Sequence, residues 1–262
     1  MSTAVARPEV APISRMLWSQ TRSVLLVYWR MPYFTIFSMV LPIMFFSLFG
    51  LPNIHKTIAP GVTVGAYILA SMAAYGMSNV LVYNIGIGQA NQRARKLDLL
   101  QRATPLPASV AIVANLVGGL ALAVVSLLGV LAIAAIGGVH LEAQRWVLLP
   151  LAVIFGSMPM LGFGLILGYG SGPNAAPALA SLIYLPMAFA SGLFIPLNQM
   201  PAFVQAIGHY LPLYHLGQLA WNTVGTSDEP VWQAAVWIAG WSAVLFGVAV
   251  RTYRLDQQRK FS

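Results

Sequence analysis

Residues Gln89 to Pro107 read QANQRARKLDLLQRATPLP, and they decide how the rest of the chain must be arranged. The stretch carries Arg93, Arg95, Lys96, Asp98 and Arg102, and long runs without Asp, Glu, Lys or Arg bracket it, Thr57 to Gln92 upstream and Ala103 to Leu141 downstream. A basic residue at the middle of a bilayer costs roughly 2.5–3.5 kcal/mol. The cluster therefore lies outside the hydrocarbon and its flanks lie within it. The expectation is a short polar helix held between two membrane crossings. Two readings of that helix stay open: an ordinary positive-inside loop, or a handle by which a separate soluble engine grips the membrane helices.

Composition agrees with a membrane setting. Of 262 residues, 58% are hydrophobic and 8% charged, against about a quarter charged in soluble domains. The net charge of +8 is spread around the flanks of apolar runs instead of forming one patch, which is the membrane pattern and not that of a nucleic-acid binder. There is no cysteine, which excludes disulfides, thiolate metal sites and cysteine nucleophiles. Arg7, Arg15, Arg22 and Arg30 are scattered through the first thirty residues, unlike a cleaved signal peptide, so the N-terminus is expected to remain.

Outward from the central stretch, the apolar runs give a map. Ile13 to Arg30 places Ile13, Met16, Leu17, Val24, Leu25 and Tyr28 near one helical face, with Arg15, Ser19 and Arg22 largely opposite. This suits a helix in the interface plane. Since roughly 20 residues cross the hydrocarbon, Met31 to His55 is the first span, with a kink expected at Pro42, and Gly61 to Ile85 is the second. A third falls within Ala108 to Gly137. The uncharged run Trp146 to Ser227 begins and ends outside, so it crosses an even number of times. Two crossings fit, Trp146 to Tyr169 and Ala176 to Leu197, joined by the turn-forming SGPNAAP of Ser171 to Pro177. Asn198 to Ser227, with Pro201, Pro212, His209 and His215, is expected as a half-buried helical hairpin on the outer side, its histidines solvated. Val231 to Val250 is the sixth span, followed by a basic tail. Every lysine and arginine except Lys56 and Arg145 then falls on one side, which puts both termini in the cytoplasm.

The spans contain no Asp, Glu, Lys, Arg or His on this map, whereas ion-coupled carriers usually place ionisable groups there. A P-loop needs Gly-Lys-Ser/Thr, but Lys56, Lys96 and Lys260 follow His, Arg and Arg. Active transport would draw its energy from another subunit. Two spans show polar stripes: Tyr67, Ser71, Tyr75, Asn79 and Tyr83 in the second, and Ser181, Tyr184, Ala188 and Ser191 in the fifth, with Phe194 near its outer end. They read either as an uncharged conduit wall or as interhelical hydrogen bonding. Pro159 and Pro186, with Gly156, Gly162, Gly164 and Gly168, mark candidate flexible points.

Three motifs carry a family resemblance: Trp29-Arg30-Met31-Pro32 before the first span, Arg102-Ala103-Thr104-Pro105-Leu106-Pro107 closing the central stretch, and Ser191-Gly192-Leu193-Phe194-Ile195-Pro196 followed by Pro201 and Pro212. In this order the chain resembles the membrane subunits of bacterial ABC transporters of the type-2 exporter class, small six-helix permeases that include drug and antibiotic exporters. Family members often carry Glu and Gly near the positions of Ala94 and Lys96, where this chain departs. The resemblance implies an all-α integral membrane protein, one permease domain over residues 1–262. Its parts would be a tail and interfacial helix (1–30, with Arg15, Arg22 and Arg30), a six-helix bundle (31–250) and a basic tail (251–262).

It further implies that the central stretch is a coupling helix, with Gln92, Arg93, Arg95, Lys96, Leu97, Asp98, Leu100 and Arg102 serving contact with an ATP-binding cassette subunit. Re-entrant helices would cap the exit between spans five and six. Tyr67, Ser71, Tyr75, Asn79, Tyr83, Ser181, Tyr184, Ser191 and Phe194 would face the substrate path. No catalytic residue, cofactor or metal belongs to this chain on that picture; ATP and magnesium sit on the partner. A second permease chain, identical or homologous, completes the unit in a bacterial cell membrane. The function expected is ATP-driven export of an amphipathic substrate. An ion-coupled carrier or channel, or a membrane scaffold or assembly factor, is the alternative.

Overall fold

The computed structural model describes residues 12–30, 32–59, 61–95 and 106–259, and for 32–37, 108 and 259 the backbone alone. The helices are α1 (Ile13–Arg30), α2 (Pro32–Phe45), α3 (Val64–Val80), α4 (Gly86–Ala94), α5 (Ala108–Ile136), α6 (Ala143–Gly156), α7 (Met158–Gly170), α8 (Ala175–Ala190), α9 (Ala202–Gly208), α10 (Pro212–Val224) and α11 (Val231–Arg259). A small antiparallel hairpin, β1 (Thr57–Ala59) with β2 (Val62–Thr63), interrupts them. Among the described residues four helical stretches are long and apolar enough to cross a membrane: Val64–Ala94, Ser109–Ile136, Ala143–Gly170 and Val231–Gln258. Two shorter apolar ones are Ser38–Asn53 and Ala175–Ala190. The protein is a mostly helical, multi-pass membrane protein, consistent with the all-α class.

Several boundaries move from their expected places, each for a local reason. The second long helix starts at Val64, not Gly61, because the hairpin occupies the residues before it and the Thr63 hydroxyl caps it by accepting from the Ala66 N–H at 3.2 Å. It then runs unbroken through a π-helical turn at Leu81–Ile85 into α4. Gln89 to Ala94 are therefore the last turns of that rod and not a separate helix between crossings. The fourth span is two helices end to end: Ser157 closes α6, and Pro159, which lacks an N–H, sits in the first turn of α7 where none is needed. The fifth helix stops at Ala190, short of Leu197, because Gly192 takes φ +82° just beyond the Ser191 cap. The last helix continues past Val250 through Arg251 and Arg254. The helical hairpin expected within Asn198 to Ser227 is present as α9 and α10, joined by residues 209–211.

The core lies around α3, which is buried along nearly its whole length against α2, α5 and α10. A second seam is centred on α7, sandwiched between the Leu81–Ala94 stretch and α11. The glycines there serve close approach: a Cβ on Gly164 would sit 3.0 Å from the Leu81 carbonyl oxygen, and one on Gly162 3.0 Å from Leu245 backbone. Where lipid replaces water, helices associate through such contact more than through any hydrophobic drive. In this seam Gly162, Gly164 and Gly168 are points of close packing, and outside it Gly156 packs against Leu216 of α10.

Gly164→Leu should overpack the seam, costing about 1–3 kcal/mol and lowering the melting temperature of the purified protein. Gly247→Leu, on a face of α11 with nothing within 4 Å, should leave it within a degree or two. Fluorescence-detected size-exclusion melting of both variants checks this.

Candidate functional site

Two groups of polar residues stand out: a cationic clamp at one end of the bundle and a tyrosine-rich ladder through its middle.

At the first, Arg93 leaves the last turn of α4 and reaches two other elements. Its Nη1 donates to the Gly168 carbonyl at 2.8 Å and the Ser171 carbonyl at 3.1 Å, both at the C-terminus of α7, where carbonyls have run out of helical partners. Its Nη2 donates to Asp256 Oδ1 on α11, an ion pair with side chains 20% and 7% exposed. Next to it, Gln92 Nε2 donates to Asn115 Oδ1 on α5 at 3.2 Å. So two of the expected handle residues face inward. Arg95, which ends the helix, is exposed. Lys96, Leu97, Asp98, Leu100 and Arg102 lie outside the described residues. A cleft of about 480 Å³ opens over the clamp, lined by Arg93, Tyr169, Ser171, Pro173, Thr252 and Asp256 among others.

Alongside, α1 packs on α5 and the rod end through Thr21, Val24 and Tyr28. The Tyr28 hydroxyl donates to the Asn84 carbonyl at 3.4 Å, and burial pushes its pKa above the ordinary tyrosine value. Arg15, Arg22 and Arg30 are exposed. So are Ile13 and Leu25, members of the expected apolar face, together with Trp18 and Trp29.

The ladder runs along α3. Trp221 of α10 stacks on Tyr67, ring centroids 5.3 Å apart, and its Nε1 donates to Ser71 Oγ at 2.8 Å. Tyr184 of α8 stacks on Tyr75; its hydroxyl lies 2.9 Å from Ser78 Oγ and donates to the Tyr75 carbonyl at 3.1 Å. Tyr83, in the π-helical turn, shares a hydrogen bond with Ser181 at 3.0 Å. Phe194 meets Tyr75 edge-on at 4.7 Å and stacks on Phe189. Ser191 is fully buried. Of these, Tyr67, Tyr83 and Phe194 are half-buried and Ser181 exposed, while Ser71, Tyr75 and Tyr184 are enclosed within the subunit.

Asn79 faces another way. Pro42 has no N–H, so the Ser38 carbonyl four residues earlier loses its helical donor. Asn79 Nδ2 supplies the bond at 3.0 Å, and Asn84 Nδ2 reaches the Ser38 hydroxyl at 3.3 Å.

At the opposite end, His215 is 1% exposed, against the expectation of a solvated residue. Its Nδ1 lies 2.8 Å from Glu229 Oε1, and its ring stacks on Trp237 of α11 at 4.9 Å. Gln218, one turn on, accepts from the Asp228 N–H at 2.8 Å. These bonds fix α10 to the loop before α11. His209, by contrast, meets only Tyr214, edge-on, among the ring contacts described.

The residues that sequence reasoning passed over are Asp256, Ser78, Ser38 and Trp221. Asp256 had one visible signal: it is the single acid in the basic tail Arg251 to Ser262. Ser38 and Pro42, four apart, were a second.

Among the described residues both groups are networks of polar side chains paired between helices, set within a bundle of apolar helices. The sequence profile of the ABC-2 type transporter family matches residues 15–222, and the chain belongs to that family. A protein of Bacillus subtilis (strain 168) named as a transport permease, YvfS, is 28% identical over 206 residues, covering 78% of this chain and 83% of its own. The chain is accordingly a non-catalytic membrane subunit of a transporter, and family membership implies an ATP-binding cassette partner in general.

Removing one partner of a buried ion pair leaves a stranded charge and typically costs about 3–5 kcal/mol. Asp256→Asn and Arg93→Gln should each lower the melting temperature sharply, and Arg93→Asp with Asp256→Arg should recover part of the loss. For the proline-freed carbonyl, Asn79→Leu should cost about 1–3 kcal/mol in the native background and clearly less with Pro42→Ala, which restores the helical donor. A double-mutant cycle of melting temperatures decides both.

Proposed function

We propose that this chain is the membrane half of an ATP-driven exporter for an amphipathic substrate, working as a pair of permease chains with two ATP-binding subunits. Six spans fit the apolar stretches: Ser38–Asn53 and Ala175–Ala190 join the four long ones. The observation that carries the reading is the sorting of charge by end. Arg93, Arg95 and Asp256 gather at one end with the Ser171–Asn174 turn, while Lys56, Arg145 and Glu229 go to the other with the β-hairpin. By the positive-inside rule the Arg93 end and both termini are cytoplasmic. The outer helices α9 and α10, too short to span and largely apolar, are then re-entrant caps over the exit.

In this reading the ATPase meets the exposed Arg95, the stretch that follows it and the cations of α1. Arg93 has a different part. It ties the rod that ends in the coupling segment to α7 and α11, so a push on that segment moves three helices together. Substrate passes between two copies along the accessible edge of the ladder, Tyr67, Tyr83, Ser181 and Phe194, with Ser71, Tyr75, Asn79, Tyr184 and Ser191 as the supporting rows behind. An edge of hydroxyls and rings without formal charge suits an amphipathic molecule better than a strongly anionic one. The motion is alternation between two packings biased by the partner.

Reconstituted with its ATP-binding partner subunit, the protein should move substrate only while ATP is hydrolysed. Arg95→Glu should cut permease-stimulated ATPase activity several-fold without lowering the melting temperature. Transport by the chain alone, without nucleotide, would sink the reading.

A further inference from the structure

The Arg145 end of the molecule holds a groove that none of the machinery above uses. Helices α6 and α11 each pack on α10, and between them a space of about 480 Å³ opens, floored by Leu219, Asn222 and Thr223 of α10. Its chemistry changes along its length. At the mouth stand Glu142, Gln144 and Arg145; deeper in, the α6 wall is Leu148, Leu151 and Phe155. From Glu142 to Phe155 the helix rises about 20 Å at 1.5 Å per residue, somewhat more than one leaflet's half of a hydrocarbon core about 30 Å thick. Thus the polar mouth lies at headgroup level when the apolar wall lies among acyl chains.

The mouth is a charge pair held loosely. The Arg145 guanidinium donates from Nη1 to the Val224 carbonyl at 3.0 Å, satisfying the end of α10, and its Nε lies 3.4 Å from Glu142 Oε2. Arg145 is anchored and 30% exposed, whereas the Glu142 side chain is 73% exposed and touches only the Arg145 Nε among the ion pairs described. An anchored cation beside an exposed carboxylate matches a headgroup that presents a phosphate and an ammonium together. The wall below it, with Leu151 57% and Phe155 49% exposed in the single chain, matches an alkyl chain. A second protein helix would match less well, since it would bury the carboxylate and guanidinium against an apolar surface.

We propose that this groove is a binding site for a zwitterionic phospholipid bearing a primary amine. The phosphate rests on Arg145, the ammonium on Glu142, and one acyl chain lies along Leu148, Leu151 and Phe155. A lipid seated there fills the gap between α6 and α11 and braces α10, the helix that carries His215, Gln218 and Trp221. The leaflet is the outer one on the orientation proposed above; the site itself does not rest on that orientation.

Native mass spectrometry of the full chain, purified in detergent and titrated with phosphatidylethanolamine, phosphatidylcholine or phosphatidylglycerol, tests this. The expected result is one tightly retained phosphatidylethanolamine, held at least several-fold better than the other two. Glu142→Gln, at an exposed position, should erase the preference over phosphatidylglycerol, and Leu151→Trp should abolish the tight adduct by filling the groove. Equal retention of all three lipids, as in an unselective annulus, overturns the proposal, as does selective retention that survives both variants. Should Leu151→Trp fold poorly, Glu142→Gln alone decides between these outcomes. Because no partner subunit or nucleotide is present in this measurement, its failure leaves the export reading untouched.

Discussion

In hydrocarbon no water is available to a carbonyl that has lost its helical donor, so such a carbonyl is best answered from within the protein, and at several helix ends side chains from elsewhere in the chain do the same. The architecture follows from how this is done. Pro42 releases the Ser38 carbonyl and Asn79 takes it; α7 ends and Arg93 takes Gly168 and Ser171; α10 ends and Arg145 takes Val224. Near the start of α10, Trp241 of α11 donates to the Tyr210 carbonyl at 2.9 Å. Each of these bonds joins elements distant in sequence. A bundle of apolar helices, for which contact with lipid and contact with one another are nearly equivalent, thereby acquires one arrangement.

The Arg93 clamp shows how such a repair ties separate helices together. A buried ion pair is a weak source of stability, since desolvation offsets much of the attraction. Here it adds definition: the rod Val64–Ala94, the end of α7 and the end of α11 meet at one guanidinium. Whatever acts on the residues after Ala94 acts on a unit and not on a single helix. The long-range coupling of a permease to its partner needs elements that move as bodies, and on the function proposed above the clamp would supply one at the place where the polar segment begins.

The ladder of α3 has a comparable double character. Serines and tyrosines that look, in sequence, like the lining of a conduit are held by hydrogen bonds and stacked rings to α8 and α10. Tyr75, Ser78 and Tyr184 close on one another, and Trp221 closes on Ser71. An uncharged polar surface inside a membrane protein is stable only when its groups can pair among themselves. The accessible edge of the ladder, with Tyr83 and Ser181, is the rim of that network.

The sequence by itself determined that the protein is an apolar helical bundle with cations sorted to helix ends, that it lacks a P-loop, and which family it resembles. These follow from transfer energies and short motifs, which are local properties of a linear chain. The helical pair α9 and α10 and the proline at Pro42 were legible because proline and glycine act within a few residues, whereas the break at Ser157, inside an expected single span, showed only as a candidate flexible point at Pro159. Only the tertiary structure decided that Gln89 to Ala94 extend the second helix, that Arg93 belongs to Asp256 across 163 residues of sequence, that His215 is enclosed with Glu229, and that Asn79 answers Pro42. In each case a side chain's partner is chosen by which helices touch, and hydropathy, nearly uniform along these helices, contains almost nothing about that choice.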